Sequence, residues 1–380
     1  MVRCSLRFLS RLPLLKLLCK VFAFSGAFVS VIFLYLQFPA LNIDNFTADL
    51  RNQSTLFENF HSAKESRDLP QLGIVACGDR LEQVLTVIKS ALIFSKIPFH
   101  IHIFAEDSLH TPAAAQLKEL AAAKQFYYSL YQLQFPDDGQ ESVWRSLFKP
   151  CACQRLFLPA ILRDVSRLVY VDTDVLFVRP VESLWAVFRS AAFNGSHIAA
   201  MAAETEDDST NWYIRFARHP FVKPRGVNSG VMLMDLARMR EFNWTDRMLP
   251  LLLAYKPFLT WGDQDIINIV FSNHSDKLLQ IGCEWNYRPD HCMYMSVCKR
   301  AERNGANVVH GSRGSFHKDK QLTFATLYNT ITEYKLGSDI RSQLLIPLEM
   351  RMRKLAGASN CAKVWPVFTR AIQAAAPLKP

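Results

Sequence analysis

The rhythm of apolar and polar positions divides the chain into short segments. LGIVACGD (72–79) is an apolar run ended by Gly78-Asp79, the pattern of a buried parallel strand opening into a ligand-facing loop. Over 81–95 the apolar residues Leu81, Val84, Leu85, Ile88, Ala91 and Leu92 recur at helical spacing. PFHIHIFAED (98–107) reads as a second strand, and YYSLYQL (127–133) as a third. Between them Thr111 to Lys124 reads as an Ala-rich helix, with Pro112 near its start, where a missing N–H is tolerated. Gln154 to Arg163 reads as a helix in spite of Pro159, 167–178 as a strand pair interrupted by acids, 227–236 as a strand, and 263–271 as a helix starting on two aspartates. Strands alternating with helices predict an α/β fold on a mostly parallel mixed sheet flanked by helices. No internal repeat is visible.

The ends differ from this body. Val21 to Phe38 is eighteen residues without a charge, about the ~20 a bilayer-spanning helix needs, and no small-x-small cleavage site follows it. Arg3, Arg7, Arg11, Lys16 and Lys20 precede it with no acid, which favours a cytosolic amino terminus. The expectation is a basic tail (1–20), a type II signal-anchor (21–38), a polar stem (39–69), a lumenal body (70–340) and a basic helical extension (341–380) packed on the body or the membrane surface. Sequons at Asn45, Asn52, Asn194, Asn243 and Asn273 all follow the anchor. The net charge of +10 resides in the two ends, leaving a body near neutral; a nucleic-acid binder needs its excess on the folded surface, so that class is set aside. Of nine cysteines, seven lie beyond the anchor. In an oxidising lumen an odd number leaves one free or paired between chains, and Cys77, in its apolar run, is the expected buried free thiol. Cys283, His291, Cys292 and Cys298 have irregular spacing for zinc and read as disulfide material, and Cys151 and Cys153 as structural.

Candidate chemistry centres on Asp172-Thr173-Asp174, which interrupts two apolar runs. Two carboxylates two residues apart, on a strand breaking into a turn, converge on one hard cation. Burying them without a cation or donors costs several kcal/mol. One reading is metal-dependent binding of a nucleotide diphosphate. The other is a phosphohydrolase of haloacid-dehalogenase type, with Asp172 as nucleophile and Asp174 as general acid. In that fold the acidic motif ends the first strand, whereas here a hundred residues of α/β pattern come first.

A wider set of motifs runs in order over roughly 70–350: ACGDR (76–80), HIHIFAED (100–107), FKPCACQRLFLP (148–159), LVYVDTDVLFVRPVESLW (168–185), RFARHPF (215–221), GVNSGVMLMDL (226–236), TWGDQDIINIVF (260–271), CEWNYRPDHCMY (283–294) and VVHGSRGSFHKDKQLTF (308–324). Together they resemble the glucoside xylosyltransferases, family 8 glycosyltransferases with the GT-A fold. The resemblance implies a retaining transfer of xylose from UDP-xylose to glucose O-linked on EGF-like repeats of Notch type, in the endoplasmic reticulum or Golgi. It implies Mn²⁺, with Mg²⁺ as a substitute, on Asp172, Asp174 and His310, a donor set that suits such an ion. For the nucleotide sugar it implies Ala76, Cys77, Arg80, Thr173 and Asn228, with Ser229 and Gly230 beside the donor sugar. Gly311 would let the backbone approach the phosphates, and Arg313 and Lys320 would neutralise them. Asp263, Gln264 and Asp265 are the expected reaction centre: Asp263 holding xylose hydroxyls, Gln264 near the anomeric carbon, Asp265 as nucleophile or anchor. A neutral amide is a poor nucleophile, so a front-face route is favoured over double displacement through Gln264. The same acids also suit a helix cap and dipole. Trp261, Trp285, Tyr287 and Arg288 are the expected acceptor wall.

The sequence departs from the family pattern at Ser312, where asparagine is expected, at Lys318, where an acid is expected, and in a shorter stretch between Met239 and Tyr255. Galactosyl, glucosyl or second-xylose transfer, or a silent lumenal sugar-nucleotide binder, remain open alternatives.

Overall fold

A computed structural model describes residues 57–58, 69–136, 139–147 and 151–375. The expected tail and anchor, and nearly all of the stem, lie outside these. Among the described residues no helix is long and apolar enough to cross a membrane.

The strands are β1 (Phe57–Glu58), β2 (Gln71–Ala76), β3 (His100–Ala105), β4 (Tyr127–Gln132), β5 (Arg167–Val171), β6 (Val175–Phe177), β7 (Ala199–Ala203), β8 (Val227–Asp235), β9 (Leu278–Ile281) and β10 (Val308–His310). Eight of them form one sheet in the order β1-β4-β3-β2-β5-β8-β7-β9, and β10 pairs with β6 in a second. Strands β2 to β5 run parallel, and β8 enters antiparallel between β5 and β7. The sheet is therefore mixed, with its parallel half first in the chain. Its strands are buried along almost their whole length, which explains apolar runs rather than alternation.

The helix Leu81–Phe94 lays Val84, Val87, Ile88, Ala91 and Leu92 on the core. The Ala-rich helix begins at Asp107, earlier than its composition suggests, so Pro112 falls inside it. Pro112 and Ser108 are both exposed, so water can satisfy the Ser108 carbonyl that the proline leaves without an N–H. The helix expected over 154–163 is a 3₁₀ segment (Ala152–Phe157) followed by a single α turn (Leu158–Ile161).

The strand pair read across 167–178 belongs to two sheets: β5 to the large one and β6 to the small one. Asp172-Thr173-Asp174 is the step between them. It is pinned on both sides: the Asp172 amide donates to the Gly230 carbonyl at 2.9 Å and the Gly311 amide to the Asp174 carbonyl at 2.7 Å. In the small sheet His310 stands opposite Val175, which brings it beside the acids.

There is no packing break at residue 340. Leu344, Leu348, Met352 and Phe368 share one apolar cluster with Tyr287, Phe316 and Phe324, and a disulfide joins Cys292 to Cys361. Cys283 pairs with Cys298. The free-thiol assignment is corrected: Cys77 is bonded to Cys151, and among the described residues the cysteine outside any disulfide is Cys153. The apolar run of β2 ends at Ala76, so Cys77 already stands in the loop and meets the segment carrying Cys151. Cys153 is wholly buried, its thiol donates to the Trp144 carbonyl at 3.0 Å, and burial pushes it up to about 12.

Candidate active site

A cavity of about 150 Å³ opens where β5 ends, lined by Asp172, Asp174, Glu204, Asn228, Asp263, Gln264, Arg155, Arg288 and His310 among others. The end of a strand in an α/β sheet is the usual place for a ligand.

Ligand atoms of Asp172, Asp174 and His310 lie within 4.8 Å of one another. His310 Nδ1 lies 2.9 Å from Asn286 Oδ1, whose own Nδ2 donates to Asn228 Oδ1 at 2.8 Å. An amide oxygen only accepts, so Nδ1 carries a proton and Nε2 is the nitrogen left to take a ligand. Nε2 lies 3.2 Å from Asp174 Oδ1 and 3.8 Å from Asp172 Oδ2. Acceptors this close repel unless a proton or a cation lies between them, so the three residues fit a divalent ion that takes nitrogen and oxygen ligands. Gly230 makes room for the ring: a Cβ there would stand 2.1 Å from His310 Cε1.

Arg155 balances the acids from beneath. Its side chain is buried; Nη2 reaches Asp172 Oδ1 at 2.7 Å, Nε reaches Asp263 Oδ2 at 2.7 Å, and Nη1 donates to the Ser229 carbonyl at 2.6 Å. Its guanidinium also lies 4.3 Å from the Tyr170 ring centre. Burial alone disfavours the charge, but Asp172 and Asp263 outweigh it and hold Arg155 firmly protonated. Burial pushes the Asp263 carboxyl up, against the pull of Arg155. Glu204 organises the opposite wall: Oε2 accepts from Asn228 Nδ2 at 3.0 Å and Gln264 Nε2 at 3.1 Å, and Oε1 pairs with Arg288 at 2.9 Å. Gln264 Oε1 in turn accepts from Asn228 Nδ2 at 3.0 Å and the Ser229 amide at 3.1 Å. One polar network therefore runs from His310 through Asn286 and Asn228 to Gln264 and Glu204, and fixes the orientation of each group before any ligand arrives.

A family model described as glycosyl transferase family 8 matches residues 58–310. The chain is 47% identical over 310 residues to mouse "Glucoside xylosyltransferase 1", covering 79% of this chain and 76% of that protein. Mouse "Glucoside xylosyltransferase 2" is 45% identical over 315 residues, covering 80% and 70%. The chain belongs to glycosyl transferase family 8. A crystal structure of the galactosyltransferase LgtC with donor and acceptor sugar analogues overlays at a TM-score of 0.54 and 15% identity, covering 72% of this chain and 100% of that one. That likeness gives this family 8 chain the α/β glycosyltransferase fold expected of it.

The structure sorts the expected residues of this family 8 protein into three groups. Asp172, Asp174, Asn228, Trp261, Asp263, Gln264, Arg288, His310 and Arg313 line the cavity, as does Ser312. Thr173 is half-buried in the turn between the acids. Arg313 holds a left-handed backbone at φ 58°, and its side chain contacts both oxygens of Asp290 at 2.6 Å. Burial pushes Asp290 up, but Arg288 and Arg313 outweigh it and hold it down to about 2.

A second group stands at the end of β2. Ala76 faces the core with Leu81 and Val84, Cys77 is tied to Cys151 next to the cavity-lining Ala152, and Arg80 is held by Gln83 at 2.6 Å. Lys320 belongs to the turn Asp319–Gln321, its side chain outside the described residues.

The third group needs correction. Asp265 is fully buried and accepts from the amides of Thr260 at 2.7 Å and Trp261 at 2.6 Å, and from Tyr213 Oη at 2.9 Å. With both oxygens occupied and no face on the cavity, it is an anchor for the Trp261 loop and not a nucleophile. The helix Asp263–Asn273 is preceded by Gly262 at φ 59°, so Asp263 does not cap it; its side chain goes to Arg155. The Gly311 amide donates to the Asp174 carbonyl, and a Cβ at Gly311 would meet the Phe316 ring at 2.4 Å, so packing by itself requires a glycine here. Tyr287 is fully buried among His291, Phe324 and Phe368, and Trp285 lines a separate depression with Val187 and Arg303. Neither lines the cavity that holds Asp172 and His310.

Sequence reasoning missed Arg155, Glu204, Tyr213 and Asn286. Arg155 offered a signal, a guanidinium set in the apolar stretch Cys153–Pro159. Glu204 offered less, because it follows the Ala-rich strand β7, which the sequence reading did not recognise.

Proposed function

We propose that this chain transfers xylose from UDP-xylose, with retention, to glucose O-linked on EGF-like repeats of Notch type. The observation that carries the reading is the convergence of His310 Nε2 with the Asp172 and Asp174 carboxylates, in a family 8 chain whose similar relatives bear the name glucoside xylosyltransferase. Asp172, Asp174 and His310 would hold Mn²⁺, or Mg²⁺ in its place, and the ion supplies charge neutralisation at the diphosphate. Asp263 and Asn228, both fixed by Arg155 or by the amide network, accept and donate hydrogen bonds to the donor sugar. Gln264 is held by four partners and presents a neutral amide beside the reacting carbon, where charge develops. The bond between the xylose anomeric carbon and the UDP oxygen breaks, and a bond to the glucose hydroxyl oxygen forms on the same face. The acceptor proton passes to the leaving diphosphate. With Asp265 occupied, the front-face route needs no protein nucleophile.

The reading places the body in the endoplasmic reticulum or Golgi lumen behind a type II anchor at residues 21–38. The described sequons Asn194, Asn243 and Asn273 are all exposed, which supports that compartment. The test uses the body from about residue 40, Mn²⁺ and a panel of UDP-sugars. The acceptor is a folded growth-factor-like repeat bearing O-glucose, read by intact mass. Gain of one pentose from UDP-xylose alone is expected. UDP release with another donor, and none with UDP-xylose, overturns the substrate.

A further inference from the structure

The short helix Trp212–Phe216 has two unlike sides. Tyr213 is buried, and its hydroxyl bonds Gln264 Nε2 at 3.1 Å and Asp265 at 2.9 Å. On the other side Ile214 and Phe216 are 45% and 55% exposed, and the Arg215 guanidinium lies 4.9 Å from the Phe216 ring centre. Trp212 joins the two: its ring stands edge-on to Trp261 at 5.5 Å and lies 6.4 Å from Phe216. Trp261 lines the cavity. An aromatic track therefore leads from the cavity to the surface, and Phe258, 45% exposed, precedes Trp261 by three residues.

Scattered exposed apolar residues are ordinary, but a contiguous run abutting a reaction cavity is not. The cavity is about 150 Å³, below the ~300 Å³ of an ordinary ligand cleft. A cavity of this size leaves a macromolecule that carries the acceptor sugar to rest on the rim. Ile214 has no flat face for stacking a further sugar, whereas isoleucine, phenylalanine and arginine together suit a polypeptide. Arg215, exposed between Ile214 and Phe216, adds a positive charge to this apolar pair.

We propose that Ile214, Arg215 and Phe216 dock the polypeptide part of the acceptor, a folded domain with an apolar, acidic face, while its sugar enters past Trp261. The proposal rests on the glycoprotein acceptor of the function proposed above. Because Ile214 and Phe216 are exposed, polar replacement leaves the core intact.

The experiment compares wild type with Ile214→Ser/Phe216→Ser and with Arg215→Glu on two acceptors: an aryl β-glucoside and a folded repeat bearing O-glucose. The expected result is a KM for the folded repeat raised about tenfold or more, a hot-spot loss at an interface. Transfer to the aryl glucoside should stay within about twofold, with an unchanged melting temperature. Equal losses on both acceptors, or none on either, overturn the docking surface. Wild type that transfers to neither acceptor overturns the donor and acceptor reading instead. Direct binding of the glucosylated repeat then judges the surface separately: binding lost in the double variant supports it, and equal binding by both proteins overturns it.

Discussion

Of the histidines this molecule buries, His102 and His310 are buried to opposite ends. On β3, His102 is fully enclosed, with Nδ1 at 2.9 Å from Tyr131 Oη and Nε2 at 2.9 Å from Gln71 Oε1. Both ring nitrogens are satisfied, and burial holds its pKa down to about 3. On β10, His310 is as deeply buried, but only Nδ1 has a neutral partner, and Nε2 looks at two carboxylates. Burial does not mark a functional histidine; an oriented nitrogen left facing like-natured acceptors does. The first arrangement stiffens a sheet, and the second leaves a nitrogen and two carboxylates converging where a proton or a cation must lie.

That contrast breaks most readily at the ligands. His310→Ala or Asp172→Asn should lower transfer by about 10³-fold, the scale of losing a preorganised electrostatic contact. Both should abolish Mn²⁺-dependent UDP binding measured calorimetrically. His102→Gln should leave both within a few-fold. Full transfer by the two ligand variants would remove the metal assignment. Next in size is Gly230→Ala. Its methyl group would stand 2.1 Å from His310 Cε1, so the ring must turn. A fall in transfer of about 10²-fold is expected with a folded protein, because misplaced catalytic groups can cost that much. Unchanged metal affinity there would show that the ring tolerates displacement. Asn286→Ala sharpens the comparison further. It frees the Nδ1 proton of His310 without touching a ligand, and a tenfold loss of Mn²⁺ affinity is expected of an outer partner.

The difference between the two regions also explains what the chain discloses of itself. The parallel half was legible because strands β2, β3 and β4 are continuous apolar runs and the helix Leu81–Phe94 keeps a 3.6-residue stripe. Asp172 and Asp174 were legible as acids that interrupt such a run, and His310 by its place after an apolar pair in a resembling motif. Their partners were not. Arg155 comes from a 3₁₀ segment and Glu204 from the end of a short alanine strand. What makes each matter is a contact with residues between 17 and 108 positions away, such as Asp172 and Asp263 for Arg155, which no local period encodes. The reverse error has the same root. Trp285 and Tyr287 are aromatic residues in a motif, yet the fold turns one into a core stack and the other away from the cavity.

The smallest effect concerns the structural histidine itself. Replacing His102 by Gln disturbs its bonds to Tyr131 and Gln71 in a buried setting, for which a loss of about 1–3 kcal/mol is expected. Its titration adds a second signature. The folded pKa lies below the usual 6.5, so the unfolded chain binds the proton that the folded chain refuses. The stability this contributes is fully present above about pH 6.5 and is lost progressively as pH falls toward about 3. Denaturant unfolding of wild type and His102→Gln, at a series of pH values across that window, should give a shallower acid slope for the variant. His100 on the same strand, held down by burial and then His102, and His291, held near 3 by burial and then Arg288, keep part of the slope in both proteins. Parallel slopes would mean that the His102 ring is not the group that acid attacks, and the contrast between a sealed histidine and a poised one would then rest on the metal site alone.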